Sequence, residues 1–433
     1  MDILLINSCV KMRNFHAAMT PPLGLAYIGA VLLKAGYSVA AIDLNVTPFT
    51  EEELTAHILS ERPKLIGISA YTETYNNAAA IARAVKAAAP DIKVVIGGPH
   101  VSVMYAETAR EGVFDAVERG EGEITMLELA RLYVDGVGAL DEINGLAFMR
   151  GDKLIVTPAR EPIANVDELP FPARELFPLE AYMLPVAILT SRGGCPFACS
   201  FCAVNNIWKG KRRFRSPENV MAEIDYVLEH HKFAMLNFSD DSFTLDRARV
   251  MKLCAMIKAK YGPMSVNWQC ATRVDLIDEE LIRAMRAAGC TTIQYGVESG
   301  SLQILDEIGK KIRLEQVQQA VALSHKYGIN TLCSFMFPHP GDTVETIARQ
   351  TALMKRLADE GVQLSLAMTT PYPGTPLHSR LAELGVTLHT DNWDDFDCQH
   401  IIISTKNFTR DELKEQLQRM VTGVGLSGGI ENN

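Results

Sequence analysis

The stretch Ser191-Arg-Gly-Gly-Cys195-Pro-Phe-Ala-Cys199-Ser-Phe-Cys202 places three thiols within eight residues, at the spacing CxxxCxxC. It follows directly on the apolar run Leu184-Pro-Val-Ala-Ile-Leu-Thr190, which reads as a strand. Three thiolates so close together can hold zinc. A structural zinc site, however, takes four protein ligands, commonly from two separated pairs, and no further Cys or CxxC partner follows at a plausible offset. On a [4Fe–4S] cluster, three cysteines leave one iron with an open position, where chemistry can occur. The other six cysteines, Cys9, Cys254, Cys270, Cys290, Cys333 and Cys398, stand singly among apolar neighbours and read as small core residues of a reducing compartment.

Working outward from this stretch, strands and helices alternate on both sides. Downstream, strand candidates at 186–190, 234–238, 266–271, 292–297, 331–336 and 363–369 are separated by helices near 216–230, 246–260, 278–288, 301–308, 314–327 and 343–360. Ser216-Pro217 is a helix opening, with Ser as N-cap and Pro at the first helical position. Six strand–helix units are too few for a closed eightfold barrel, so a partial (β/α)6 barrel is expected. Upstream, strands at 3–7, 39–44, 65–69, 94–96 and 116–117 alternate with helices at 22–34, 51–60 and 77–89. That alternation predicts an α/β, doubly wound (Rossmann-like) parallel sheet, which takes ligands at the carboxyl ends of its strands. Arg150-Gly-Asp152 signals a hairpin, and the Pro-rich stretch 166–174 reads as a connector. The expected organisation is therefore a first domain over 1–137, a hairpin and linker over 138–184, the barrel over 185–377, and a short carboxyl-terminal segment over 378–433. That last segment holds a helix at 409–423 and an end that frays over 427–433.

Composition agrees with such a protein and excludes others. A chain of 433 residues exceeds one domain of ~100–200 residues, and 48% hydrophobic with 22% charged residues is a globular balance. The formal charge, 42 − 52 = −10, repels polyphosphate and argues against general nucleic-acid binding. No stretch approaches the ~18–20 uninterrupted apolar residues of a membrane span, and no basic leader precedes the first strand, so a cytoplasmic protein is expected.

Cys195, Cys199 and Cys202, after the first strand of a partial barrel and with Phe201 before the last Cys, resemble the cluster motif of the radical S-adenosylmethionine (SAM) superfamily. The resemblance implies roles for later strand ends, and Phe201 joins the SAM-binding candidates. Asn237-Phe-Ser-Asp-Asp-Ser-Phe243 lies where relatives meet the SAM amino group, so Ser239, Asp240 and Asp241 are candidate acceptors for an ammonium. In Thr272-Arg-Val-Asp275, Arg273 faces the SAM carboxylate or forms a barrel-rim ion pair. Gln294-Tyr-Gly-Val-Glu-Ser299 resembles the ribose-contacting segment and places Glu298 and Ser299 there. Phe337-Pro-His-Pro-Gly-Asp-Thr343 departs from the family's Gly-x-Pro-Gly-Glu-Thr turn, which removes support for adenine contacts and leaves His339 to face the substrate. Pro371-Tyr-Pro-Gly-Thr-Pro-Leu377 matches the loop after the sixth strand, as turn or ligand contact. The basic run Lys209-Gly-Lys-Arg-Arg-Phe-Arg215 reads as a solvated face or as a cation source for an anionic group.

Pro21-Pro-Leu-Gly-Leu-Ala-Tyr27, Gly67-Ile-Ser-Ala-Tyr-Thr72, Val95-Ile-Gly-Gly-Pro-His-Val-Ser102 and Arg119-Gly-Glu-Gly-Glu123 resemble, in order and spacing, the cobalamin-binding domain of cobalamin-dependent radical SAM enzymes. The candidate cobalamin-binding residues are Ser69 and Thr72 for their hydroxyls, Gly97 and Gly98 for close approach, and Pro99, His100, Gly120, Glu121 and Gly122. No GxGxxG follows the first strand. Asn14-Phe-His-Ala-Ala-Met19 lacks the Asp and Gly of Asp-x-His-x-x-Gly, so His16 is a poor axial ligand, as in the radical SAM methylases or in a domain that has lost cobalamin.

The class B methyltransferase-like resemblance implies a [4Fe–4S] cluster, SAM and cobalamin as cofactors. It further implies a 5′-deoxyadenosyl radical that activates an unreactive carbon and a methyl group delivered from methylcobalamin. A cobalamin-linked radical cyclase, oxidase or rearrangement enzyme shares this layout, and a carrier without radical chemistry is the rival from another class. Methylthiotransferases carry extra cluster cysteines in the amino-terminal domain, which Cys9 alone cannot supply. The implied partners are a small-molecule or peptide substrate and an external one-electron reductant of the flavodoxin or ferredoxin type. Peptide, lipid, antibiotic scaffold and tetrapyrrole all stay open as substrates, and Trp393, Phe396 and His400 line the pocket or pack.

Overall fold

Five aliphatic runs form the parallel part of the first sheet in a computed structural model that describes residues 1–10, 19–204 and 212–425. His16, Lys209, Lys211 and the end at 427–433 lie outside the described residues. The chain divides into two compact units, residues 1–187 with a short segment ending at Arg213, and the remainder from Ile188 onward.

In the first unit, β1 (Ile3–Asn7), β2 (Val39–Asp43), β3 (Leu65–Ser69), β4 (Lys93–Gly97) and β5 (Ala116–Glu118) stand in the order β2-β1-β3-β4-β5, each neighbouring pair parallel. All five residues of β1 are buried, as expected of a central parallel strand with no polar face. The order reverses between β1 and β3, and such a switch point opens a crevice at the carboxyl ends of the strands. The helices Leu23–Lys34 and Gly122–Tyr133 pack together over one core built around Leu5, Leu25, Met126 and Leu129.

β6 (Leu146–Arg150) and β7 (Lys153–Val156) form the predicted hairpin, but β6 pairs antiparallel with β5 and the hairpin extends the same sheet. The open edge of β5 would otherwise leave ladder groups unpaired.

In the second unit, β8 (Ala187–Ile188) leads into the thiol segment, which two-residue strands β9 (Ser191–Arg192) and β10 (Arg213–Phe214) flank. With β11 (Leu236–Phe238), β12 (Trp268–Thr272), β13 (Cys290–Glu298), β14 (Asn330–Phe337) and β15 (Gln363–Met368), β8 completes a six-stranded sheet in the order β15-β14-β13-β12-β11-β8. The strands β11 to β15 pair in parallel. The strands β11 to β14 are each followed by a helix or helix pair where the periodicity places one, and Ser216 Oγ accepts from Asn219 N at 3.1 Å as the predicted N-cap. Asp246, Asp278 and Thr343 cap later helices in the same way, each cap contributing ~1 kcal/mol. A tail hairpin, β16 (Thr387–Leu388) with β17 (Ile403–Ser404), closes over Phe396 and precedes the helix Arg410–Val424. Among the described residues no helix is long and apolar enough to cross a membrane.

The picture of single core thiols is corrected in part. Cys270 and Cys290, on the paired strands β12 and β13, lie within electrostatic reach of each other and of Cys254, while Cys9 and Cys398 are only half-buried.

Candidate active site

Backbone contacts pin the thiol segment. Ser200 N donates to Ile308 O at 2.9 Å, and Leu377 N donates to Ser200 O at 2.9 Å. Gly309 has φ +72°, and a Cβ there would lie 2.8 Å from Ala198 O, so glycine lets the chain close over the thiol loop. Cys199 Sγ lies 4.0 Å from Gly309 O. Cys195, Cys199 and Cys202 are half-buried and within electrostatic reach of one another. Burial pushes the Cys199 thiol up against the opposing pull of Lys310 and Arg273, and burial pushes Cys202 up to about 11. Ligation must therefore displace protons. Among the described residues no three His, Cys, Asp or Glu side chains are gathered around a single metal ion. An iron–sulfur cluster instead takes one thiol per iron, and three thiols beside two buried cations suit a group that carries net negative charge.

The guanidinium of Arg273 is already engaged. It stacks on the Phe197 ring at 3.6 Å, donates through Nε and Nη2 to the two Asp275 oxygens at 2.9 Å each, and through Nη2 to Lys310 O at 2.8 Å. It is a rim ion pair that clamps the thiol loop rather than a free cation.

Asp240 is likewise engaged. Its oxygens accept from Thr190 N at 3.1 and 3.2 Å, from Thr190 Oγ1 at 3.0 Å and from Ser191 Oγ, and it is buried. It anchors the start of the thiol segment and has no lone pair open to an ammonium. Ser239 Oγ accepts from Asn237 Nδ2 at 2.8 Å. Asp241 is exposed, is engaged by no hydrogen bond among the described residues, and is pushed up to about 6 by desolvation and then by the charge of Asp240. Phe201 is half-buried beside Cys202.

At the end of β13 a bulge lies between Gly296 and Glu298, and Glu298 has φ +69°. That left-handed conformation costs a non-glycine residue ~1–2 kcal/mol, and such strain gathers at functional sites. Lys310 Nζ donates to Glu298 Oε1 at 2.8 Å. His339 is 1% exposed and donates through Nε2 to Glu298 O at 3.1 Å, so it buttresses Glu298 and does not face a substrate. Ser299 is fully buried, with Oγ accepting from Ser301 N at 3.2 Å within the turn. The Pro371 loop is a turn in which Tyr372 donates to Phe396 O at 3.0 Å. Phe396 packs in the tail core, and His400 meets Asp397 at 2.8 Å.

In the described end of the basic run Arg212 is exposed, whereas the next two arginines are engaged within the protein. Arg213 is ion-paired with Glu121 at 2.7 Å, and the buried Arg215 with Glu223.

In the first unit most cobalamin candidates are satisfied from within. Thr72 Oγ1 and His100 Nδ1 are 3.2 Å apart, and burial lowers His100 to about 4, leaving it neutral. Glu121 takes Arg213 and also accepts from Ile163 N at 2.8 Å. The glycines answer to the chain's own packing: a Cβ would lie 2.5 Å from Ala70 O at Gly98, 2.8 Å from Glu118 Oε2 at Gly97, and 2.6 Å from Ile28 Cδ1 at Gly122. Ser69 and Pro99 are partly exposed, and Gly120 is exposed with φ +97°.

Two residues escaped the sequence reading. Glu118, at the carboxyl end of β5, is buried with no hydrogen-bond partner for Oε1, and burial followed by the charge of Glu123 pushes it up to about 8. Lys310 is the other. A charge inside the apolar run Ala116-Val117-Glu118 and a lysine directly after Gly309 were the available signals.

Residues 17–130 match the family model of the B12 binding domain, and residues 190–350 that of the radical SAM superfamily. An uncharacterised methyltransferase of Pyrococcus horikoshii is 33% identical over 407 residues, covering 92% of this chain and 86% of that protein. The anaerobic magnesium-protoporphyrin IX monomethyl ester cyclase of Rubrivivax gelatinosus is 31% identical over 389 residues, covering 86% and 69%. Among solved structures, the radical SAM methyltransferase TsrM of Kitasatospora setae, with cobalamin and a [4Fe–4S] cluster bound, aligns with a TM-score of 0.74 at 21% identity over 90% of this chain and 81% of that one, a likeness of fold.

Proposed function

The chain belongs to the family that joins a B12-binding domain to a radical SAM domain, and from that premise we propose that it is a methyltransferase acting on an unactivated carbon. The observation that carries the reading is the thiol trio held at the head of the barrel sheet against Gly309, beside the buried cations Lys310 and Arg273. When bound, the cluster, SAM and cobalamin supply the electron, the adenosyl radical and the methyl group.

The chain's own residues bind, orient and exclude water. Cys195, Cys199 and Cys202 hold the cluster. Asp241 offers the open carboxylate for the SAM ammonium, Glu298 the acceptor for its ribose, and Ser239 and Phe201 border the same place. Asp240, Arg273 and Ser299 act one layer behind, fixing the loop and the turn. In the first unit Ser69, Pro99 and Gly120 present accessible edges for cobalamin. The orphaned Glu118 oxygen suits one of the corrin's carboxamides, which both donate and accept. A small-molecule or peptide substrate, an external one-electron reductant of the flavodoxin or ferredoxin type and a cytoplasmic setting, where nine free cysteines stay reduced, complete the reading.

The 31% identical cyclase favours a second reading, a radical cyclase that transfers no methyl. Anaerobic reconstitution with cobalamin, followed by quantification of products, separates the two. Equal 5′-deoxyadenosine and S-adenosylhomocysteine is the result expected of methylation. Deoxyadenosine without S-adenosylhomocysteine refutes methyl transfer and points to the cyclase type.

A further inference from the structure

The six strands of the second sheet stand in chain order, with no switch point among them. Right-handed crossovers then carry every connecting helix to one face and leave the other face without a crossover of its own. The side chains agree with this. Trp268, Cys270, Ile293, Tyr295, Cys333 and Phe335 share one face by register and alternation and are buried, with Tyr295 Oη 2.9 Å from Ser324 Oγ on the helix Leu314–Lys326. On the opposite face the same register aligns Asn237 with Gln269, Ala271 with Gln294, and Gly296 with Ser334, and none of these is buried. Gln294 is exposed although β13 is paired on both sides. Central parallel strands are ordinarily apolar on both faces, so an open polar face here needs a reason.

The row Asn237, Gln269, Gln294, Ser334 and Ser365 carries amides and hydroxyls and no charge. Gln269 Nε2 donates to Asn237 Oδ1 at 3.2 Å, and Gln294 Nε2 donates to Ser334 Oγ at 2.8 Å. Each glutamine keeps a second amide hydrogen and an oxygen that no described residue engages, so each presents one donor beside one acceptor. An amide group, itself one donor and one acceptor, is the complement. A carboxylate or phosphate would meet no cation on this row, and a hydrocarbon would leave the glutamines unsatisfied. Gln294 stands four residues before Glu298, about 13 Å back along β13, which separates the row from the turn at the strand end. We infer that this row recognises an uncharged, peptide-like substrate, with Gln269 and Gln294 setting the specificity by binding an amide remote from the reacting carbon. Contacts made away from the reacting bond help to position it. The inference rests on the enzyme reading above and narrows its substrate to one class.

The test is equilibrium dialysis of the anaerobically reconstituted protein against a pool of tripeptides with uncharged side chains, acetylated at one end and amidated at the other. Octanoate and octanol serve as the anionic and lipid-like probes. A hydrogen bond between neutral groups is worth roughly three- to tenfold in affinity. Wild-type protein is therefore expected to retain members of the peptide pool and to bind octanoate and octanol about tenfold or more weakly than the best of them. Gln269→Leu and Gln294→Leu should each weaken peptide retention by roughly three- to tenfold, and the double variant by about tenfold or more. Thermal midpoint and iron content accompany each variant, and if the double variant does not hold iron, Gln294→Leu at its exposed position carries the comparison. Unchanged peptide retention in the variants, or octanoate or octanol bound as tightly as the peptides, overturns the inference. Release of 5′-deoxyadenosine on reduction with SAM is read on the same preparations. Wild-type protein that releases it but retains no peptide overturns the amide class alone, whereas protein that holds iron and releases none overturns the enzyme reading and this inference with it.

Discussion

Gly309→Ala isolates the seating of the thiol loop. Two effects separate cleanly because Gly328 has nearly the same backbone, φ +70° against +72°, and meets nothing closer than 3.9 Å where a Cβ would point. In both variants an alanine is forced into the left-handed region, which costs ~1–2 kcal/mol and is partly offset by the stiffer unfolded chain. Only at position 309 does the methyl also fall 2.8 Å from a backbone oxygen, that of Ala198, the residue directly before Cys199. A backbone oxygen cannot rotate away as a side chain can, so either the loop shifts or the overlap remains, a penalty of about 1–3 kcal/mol beyond the control. Urea unfolding of the apo protein reads the stability difference, and iron content after anaerobic reconstitution reads whether the thiols still converge. The expected result is a Gly309→Ala protein less stable than Gly328→Ala and poorer in iron. Equal midpoints and equal iron in the two variants would refute the argument that this loop closes on Gly309.

Glu118 sets a pH dependence in the apo protein. Its carboxyl is pushed up from the ordinary 4.5 to about 8 by burial and Glu123, against the weaker pull of Arg160 and Thr125. Between those values the folded chain holds a proton that the unfolded chain has released, so stability falls as pH rises through the window, by up to about 1.4 kcal/mol per pH unit. Urea midpoints across that window should flatten in Glu118→Gln, and an unchanged slope sinks the assignment. Asp240→Asn should lower stability by about 1.5–3 kcal/mol, because it weakens buried charge-assisted bonds to Thr190 and Ser191. Asp241→Asn should leave stability alone and weaken SAM binding. The opposite pattern in denaturation and binding would return Asp240 to the ligand.

The fold was legible because its signals are local. The alternating aliphatic strands and capped helices announce themselves within a few residues, as Ser216-Pro217 does. The hairpin β6–β7 was seen, but its attachment was not, since pairing with β5 is a non-local event on a sheet edge. The same divide runs through the site. Cys195, Cys199 and Cys202 form a motif within eight residues and needed no tertiary knowledge to be singled out. The candidates that the structure reassigns are those whose partners are remote: Asp240 from Thr190 by 50 positions, Glu121 from Arg213 by 92, His100 from Thr72 by 28. A resemblance tells which polar residues gather at strand ends but not which of them the protein has already satisfied. A buried polar group with its bonds filled is committed to the scaffold, because freeing it for a ligand forfeits those bonds without return. Asp241, Ser69 and the Glu118 oxygen, which are not so filled, are therefore stronger ligand candidates than Asp240, Thr72 or Glu121.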